Sequence, residues 1–152
     1  MATQGKIKLE YEIDFKVIGL FSNAEDFKLC WLINNQLQWQ LERNENLPAE
    51  KETVSIGFFD AAHVAETADG YTMFSYIDED NFIENYLLAN LSNTGFLIPE
   101  YKQCNYFLLL RGDSANDFEI GNVLKSLQEI DIVSSAFSID VNTIKDLHSL
   151  MF

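Results

Sequence analysis

The strongest constraint on this chain lies in residues 105–110, Asn-Tyr-Phe-Leu-Leu-Leu, five of whose six side chains are apolar or aromatic and follow one another without interruption. A strand alternates its side chains between two faces, so an unbroken apolar run needs cover on both; it suits a central strand and no solvated edge. Pro99 lies just upstream. It has no N–H to give a ladder and biases Ile98 towards an extended backbone, so it reads as a rigid entry to that strand or as an edge crossing. Any fold for this chain must therefore supply two covers for one sheet.

The segments on either side supply candidates. Ile7, Leu9, Tyr11, Ile13, Phe15 and Val17 alternate with Lys6, Lys8, Glu10, Glu12, Asp14 and Lys16, a period of two that predicts a long strand with one charged face. Ser22 and Glu25 have capping-box spacing and open a helix running to about Asn35. Phe27, Cys30 and Trp31 share one of its faces, while Leu29, Leu32 and Ile33 fill much of the rest. Apolar nearly all round, this helix calls for cover on more than one side, within the monomer or from a partner subunit. Trp39 and Leu41 mark a short strand that completes a β-α-β unit, followed by a polar loop over residues 43–53.

Residues 54–59 read as a further strand, and residues 61–67 and 71–77 flank Asp69-Gly70, a hairpin signal. Asp78-Glu79-Asp80-Asn81 is a charged loop or the first turn of a short helix, residues 86–91 a strand, and Ser92-Asn93-Thr94-Gly95 its closing turn. Beyond the central strand, Ser114 and Asp117 have capping-box spacing, and Ile120, Val123, Leu124 and Leu127 form a helical stripe. Val133, Phe137, Ile139 and Val141 predict a last strand, and Ile144, Leu147 and Met151 one side of a short terminal helix. The sum is one α+β domain over residues 1–152: a mainly antiparallel sheet, two principal helices packed on it, βαβ units near both ends and a distant ferredoxin-like flavour.

Composition narrows the partners. With 24 acidic against 10 basic side chains the formal charge is -14, which repels phosphate backbones and anionic leaflets; neither direct nucleic-acid binding nor membrane binding is expected. The N-terminal residues lack the apolar core of a signal peptide, and a cytoplasmic location is the expectation. Cys30 and Cys104 lie in apolar surroundings and read as buried small hydrophobes rather than a disulfide or catalytic thiols.

Ile98-Pro99-Glu100, three variable residues, and a triplet ending in Tyr106 resemble the signature of the bacterial IPExxxVDY family, to which no activity is assigned. The similarity extends to the short apolar-aromatic texture of the N-terminal half and to the apolar Leu150-Met151-Phe152. Where the family has Val-Asp this chain has Cys104-Asn105. Asn preserves hydrogen bonding but supplies neither negative charge nor a titratable proton, so the resemblance implies no acid or metal ligand at this position.

Catalytic equipment is sparse. His63 and His148 lack a second His or a Cys at ligand spacing, and no zinc, phosphate-loop or nucleophile-elbow motif is present. Asp78, Glu79 and Asp80 suggest calcium only superficially, since Phe82 stands at the next alternate position and the loop glycine is missing. No catalytic residue, metal site or cofactor is assigned. Candidate binding residues are Glu100, Tyr101, Lys102, Asn105, Tyr106 and Arg111, with Glu100 able to act as a proton carrier or to lock its segment through backbone N–H groups, and Arg111 as its possible ion partner. Two readings follow. One is a non-enzymatic interaction or regulatory domain with a protein partner or a second copy; the other is a small enzyme or ligand-binding domain with a pocket near Glu100, its small-molecule ligand unspecified.

Overall fold

Strand β7 (Tyr106–Gly112) runs through the interior of a six-stranded sheet, flanked by β4 (Ile83–Ala89) on one side and β1 (Phe15–Ser22) on the other. The computed structural model describes residues 15–48, 70–113 and 115–152. Its full sheet order is β2-β3-β4-β7-β1-β8, where β2 is Glu42–Arg43, β3 Met73–Asp78 and β8 Val133–Ile139, and every neighbouring pair is antiparallel. A two-stranded ribbon, β5 (Leu91–Ser92) with β6 (Gly95–Phe96), stands apart.

Helices α1 (Asp26–Leu37) and α2 (Asp117–Gln128) share one face of the sheet, where Leu29, Cys30 and Ile33 of α1 join Ile120, Val123 and Leu127 of α2 over Ile18, Leu20, Leu87, Leu108 and Leu110. In an alternating antiparallel sheet β1 and β2 run the same way, as do β7 and β8, so each helix is the crossover of a βαβ unit. The subset β8-β1-β7-β4 has the order and directions of a ferredoxin-like sheet, with β3 and β2 added beyond it. This is the expected α+β architecture.

Among the described residues, the opposite face is covered by connecting segments and single turns. Phe15, Val17, Tyr86, Leu88, Phe107, Leu109 and Ile139 pack against residues from connecting segments, chiefly Leu47, Tyr71, Leu97, Ile98, Cys104, Ile144 and Leu150. Two apolar layers thus sandwich β7, and Phe107, Leu108, Leu109 and Leu110 are all fully buried. The same double cover ends the N-terminal alternation early. Lys16 keeps a half-exposed side chain and an ion pair with Asp117 at 3.2 Å, but Val17, Ile18, Gly19 and Leu20 are buried in succession.

Several local expectations change. Ser22 is the last residue of β1 rather than a helix cap; its hydroxyl donates to Ile132 O at 2.8 Å and accepts from Ala24 N, while Glu25 precedes α1 without a side-chain cap. The short strand falls at Glu42–Arg43 instead of around Trp39 and Leu41, because Asn34 captures Leu41 on both main-chain groups, accepting from its N at 2.9 Å and donating to its O at 3.0 Å. Asn116, not Ser114, caps α2, accepting from Glu119 N at 2.8 Å. Pro99 opens a single 3-10 turn, Pro99–Tyr101, with Ile98 extended before it. The C-terminal segment forms two 3-10 turns, Val141–Thr143 and Leu147–Leu150, in place of one helix. Residues 7–14, the strands expected over 54–59 and 61–67 with His63, and Ser114 itself lie outside the described residues; Tyr71 bridges to Leu47.

Gly19 occupies a closely packed point of the second layer. A Cβ there would stand 2.7 Å from Cys104 Sγ and 3.0 Å from Ile139 Cδ1, and Cys104 is too short and too enclosed to turn aside. Gly19→Ala is expected to lower stability by about 1–2 kcal/mol in urea titration, and Cys104→Ala in the same chain to recover part of that loss although it deletes buried volume. Additive losses in the double variant would show that the sulfur is not the obstruction.

Candidate functional site

The six binding candidates fall into three places. Glu100, Tyr101 and Lys102 sit on the 3-10 turn over the second sheet face; Asn105 and Tyr106 stand where β7 begins, against the β1–α1 connection; Arg111 is at the far end of β7. The structure does not bring Glu100 and Arg111 together.

The turn is organised by a residue that sequence reasoning passed over. Asn90 is fully buried at the exit of β4, and each of its polar groups is matched. Its N–H donates to Asn105 O (2.9 Å) and its carbonyl accepts from Leu97 N (2.7 Å); its Oδ1 accepts from Ile98 N (2.8 Å), and its Nδ2 donates to Tyr101 O and Cys104 O, both at 3.0 Å. The turn's main chain is thereby pinned over the sheet. Ile98 is fully buried, Pro99 takes the first position of the turn, where its missing N–H costs nothing, and the Glu100 carboxylate accepts from Lys145 N of the C-terminal segment. The Tyr101 hydroxyl meets Thr143 Oγ1 at 2.7 Å, and Lys102 Nζ lies 6.0 Å from the centre of the Phe96 ring.

The second group fastens the β1–α1 corner. Asn105 Oδ1 accepts from Ser22 N at 2.8 Å, and the Tyr106 hydroxyl donates to Ala24 O at 2.7 Å. A carboxylate oxygen at position 105 would accept the same bond, so Asn at this position preserves the connection. Burial, reinforced by the charges of Asp26 and Glu25, pushes the Tyr106 phenol up to about 12. Burial likewise raises the Cys30 and Cys104 thiols to about 11, which keeps both protonated at neutral pH and poor as nucleophiles.

Arg111 is clamped at the opposite end of β7. It donates to Leu150 O at 2.6 Å and to Phe152 O at 2.8 Å, pairs with Glu84 at 3.5 Å, and lies within 6 Å of the ring centres of Phe15, Tyr86 and Phe152. Its charge is spent on holding the C-terminal segment to the sheet. Burial and the hydrogen bond to Glu84 raise Tyr86, its neighbour, to about 12.

Beside this clamp opens a cleft of about 740 Å³ whose apolar walls include Ile77, Phe82, Met151 and Phe152, with Asp78, Glu79 and Glu84 among its lining residues. Phe82 sits in the β3–β4 turn with φ 57° and is 70% exposed. The turn is held by Asp78, which accepts from the Asn81 side chain, and by Phe82 O, which accepts from Asp113 N at 2.7 Å. Gly112, at φ 75°, leaves room for that carbonyl where any Cβ would collide with it. A second apolar feature lies on α1, where Phe27 and Trp31 are 63% and 62% exposed. Among the described residues no group of three metal-ligating side chains converges, and no helix is long and apolar enough to cross a membrane.

The chain matches no family model, no curated protein and no solved structure. The chemistry of its surfaces has to be read from their own geometry.

Two outcomes follow from the motif contacts. Asn90→Ala strands the buried Ile98 N–H and the Cys104 carbonyl and takes one of two donors from Tyr101 O, and is expected to cost about 3 kcal/mol in urea titration; Asn105→Asp, which keeps its acceptor, should cost less than Asn105→Leu. Tyr106 has a native pKa above its ordinary value of 10, so the folded state holds the proton more tightly. Its contribution is complete below pH 10 and is lost as pH rises from 10 to 12. Tyr106→Phe should therefore be less stable at neutral pH but lose stability less steeply across that alkaline window, as measured by urea titration at stepped pH.

Proposed function

We propose that the protein is a non-enzymatic interaction or regulatory domain that docks a basic, apolar segment of a partner protein into the cleft beside Arg111. The observation that carries this reading is Phe82. A bulky side chain in the left-handed region is a costly choice where Gly or Asn would serve, and a ring 70% exposed recovers little of that cost by burial. Residues held in disfavoured conformations without a folding benefit concentrate at functional surfaces. Ile77, Met151 and Phe152 extend the apolar area around the ring, and large exposed apolar patches mark partner sites.

Charge selects the partner. Asp78, Glu79 and Glu84 stand around the cleft, while the guanidinium of Arg111 is engaged by Glu84 and by main-chain oxygens. Lys or Arg beside apolar residues complements such a rim, whereas a second copy would bring another charge of -14 to it. The motif residues support membership of the IPExxxVDY family as part of the same proposal: Ile98, Pro99, Glu100, Asn105 and Tyr106 each have a structural task that a whole family could share. On this reading the signature builds the scaffold and the cleft makes the contact.

The test compares a labelled peptide of alternating Leu and Lys with one of alternating Leu and Glu by fluorescence anisotropy. The Lys peptide should bind, weakening as salt rises. Phe82→Asn, which suits a left-handed turn position, should leave stability unchanged or raise it by up to about 1 kcal/mol while reducing binding at least about tenfold. Equal binding of both peptides, or binding that survives Phe82→Asn, would overturn the proposal.

A further inference from the structure

The two edges of the six-stranded sheet are built in opposite ways. On one side the sheet ends in β2, which is two residues long and consists of the exposed, charged Glu42 and Arg43. Short and charged edges resist the addition of another strand. On the other side it ends in β8, seven residues reading Val-Ser-Ser-Ala-Phe-Ser-Ile. Among the described strands of this sheet β8 alone carries no charged residue, since β1 has Lys16, β3 Asp78, β4 Glu84 and β7 Arg111. Charge is therefore missing from the one long strand where it would keep other chains away, and β8 has no proline in its place.

The register shows which main-chain groups of β8 face outwards. Leu20 O accepts from Asn105 N at 2.9 Å, so Leu20 turns its main chain towards β7. Ala136 stands opposite Leu20, and Ser138 opposite Ile18, two residues along. Residues paired in this way do not exchange main-chain bonds, so the N–H and C=O groups of Ala136 and Ser138 point away from the sheet. Gln128 Nε2 reaches Ala136 O from α2 at 3.1 Å, and a carbonyl has a second lone pair for a strand lying in the sheet plane.

We infer that β8 pairs antiparallel with β8 of a second copy, about a two-fold axis through Ala136, joining the two sheets into one. The strand is self-complementary in that register. Ala136 faces its own counterpart, Val133 faces Ile139 and Ser135 faces Phe137. Within one chain Ser135 is exposed and stands opposite Phe21 of β1, whose ring is 43% exposed. Residues paired across neighbouring strands share a face of the sheet, so the half-buried Phe137 of the second copy comes to the far side of Ser135. That small side chain leaves room for the incoming ring to cover Phe21. No like charges meet along the strand itself, but Asp131 and Asp140 flank it and each copy carries -14. Repulsion thus opposes the pair, and salt strengthens it. This surface is separate from the Phe82 cleft and does not depend on the partner reading, in which salt weakens binding.

Sedimentation equilibrium of the full-length chain should show a monomer–dimer equilibrium that moves towards dimer as salt rises from about 0.05 to 0.5 M. Ser138→Pro removes an outward N–H without touching the ladder to β1, at the kind of edge position that accepts proline. Ser135→Lys changes an exposed side chain and fills the space assigned to Phe137 of the second copy. Each should weaken dimerisation about tenfold or more, with folding checked by urea titration. Trp31→Ser, on the exposed face of α1, should leave dimerisation unchanged. A chain that stays monomeric at about 1 mM in high salt, a dimer that keeps its affinity in either β8 variant, or a dimer lost in Trp31→Ser would overturn the inference.

Discussion

The hydrogen bonds of Asn90 hold the second face of the sheet closed. Helices α1 and α2 bury one side of β7 in the usual way, by laying apolar stripes across it. The other side is equally apolar but receives irregular chain, and irregular chain can be buried only where its main-chain groups find partners. Asn90 supplies them, joining the exit of β4 to Leu97, Ile98, Tyr101, Cys104 and Asn105. With that segment fixed, Ile98 can be buried and Glu100 can anchor the chain at Lys145, which draws the C-terminal turns and Leu150 onto the sheet. Arg111 completes the same task from the other end of β7. A single buried amide therefore governs a layer that extends well beyond its own contacts.

This dependence explains what was legible in the sequence. The run behind Pro99 identified the interior strand because burial on both faces leaves an uninterrupted apolar string, and the stripe Ile120, Val123, Leu127 identified α2 because one-sided burial leaves a helical period. Periodicity also indicated the two βαβ units. It could not indicate Asn90, since an Asn between two apolar segments has the same appearance whether it is exposed in a turn or buried with every group satisfied. Helix starts were misplaced for a related reason: Ser22 has the spacing of a cap, but its hydroxyl finds a distant carbonyl at Ile132, and long-range partners are invisible to local spacing. The same limit applies to Arg111, whose neighbours Glu84, Leu150 and Phe152 are far from it in the chain.

The motif around Glu100 shows how a conspicuous sequence can belong to architecture. Its acidic residue has a main-chain N–H to accept, its proline fits the first position of a turn, and its tyrosine ties the strand to the β1–α1 corner. None of these roles needs a cavity. The cleft beside Arg111 opens at the opposite end of the sheet, where sequence signals were weak because the lining residues are scattered: Ile77 before a turn, Phe82 within it, and Met151 and Phe152 at the C-terminal segment.

The β3–β4 turn is what gives that end its character. Phe82 and Asn81 are adjacent, yet Phe82 borders the apolar cleft and Asn81 a more polar cavity on the other face, between α2 and the strands, and Ile83 lines both. Their separation follows from the pleat and from the left-handed backbone at Phe82, which turns the chain sharply as it enters β4. That conformation is held from below, because Phe82 O accepts from Asp113 N across a space that Gly112 leaves empty. The ends of β4 and β7 are thus locked by main-chain geometry, while the Phe82 ring stays exposed at the surface. A displacement of this turn would alter the walls of both cavities at once, since the residues that border them share one short stretch of backbone.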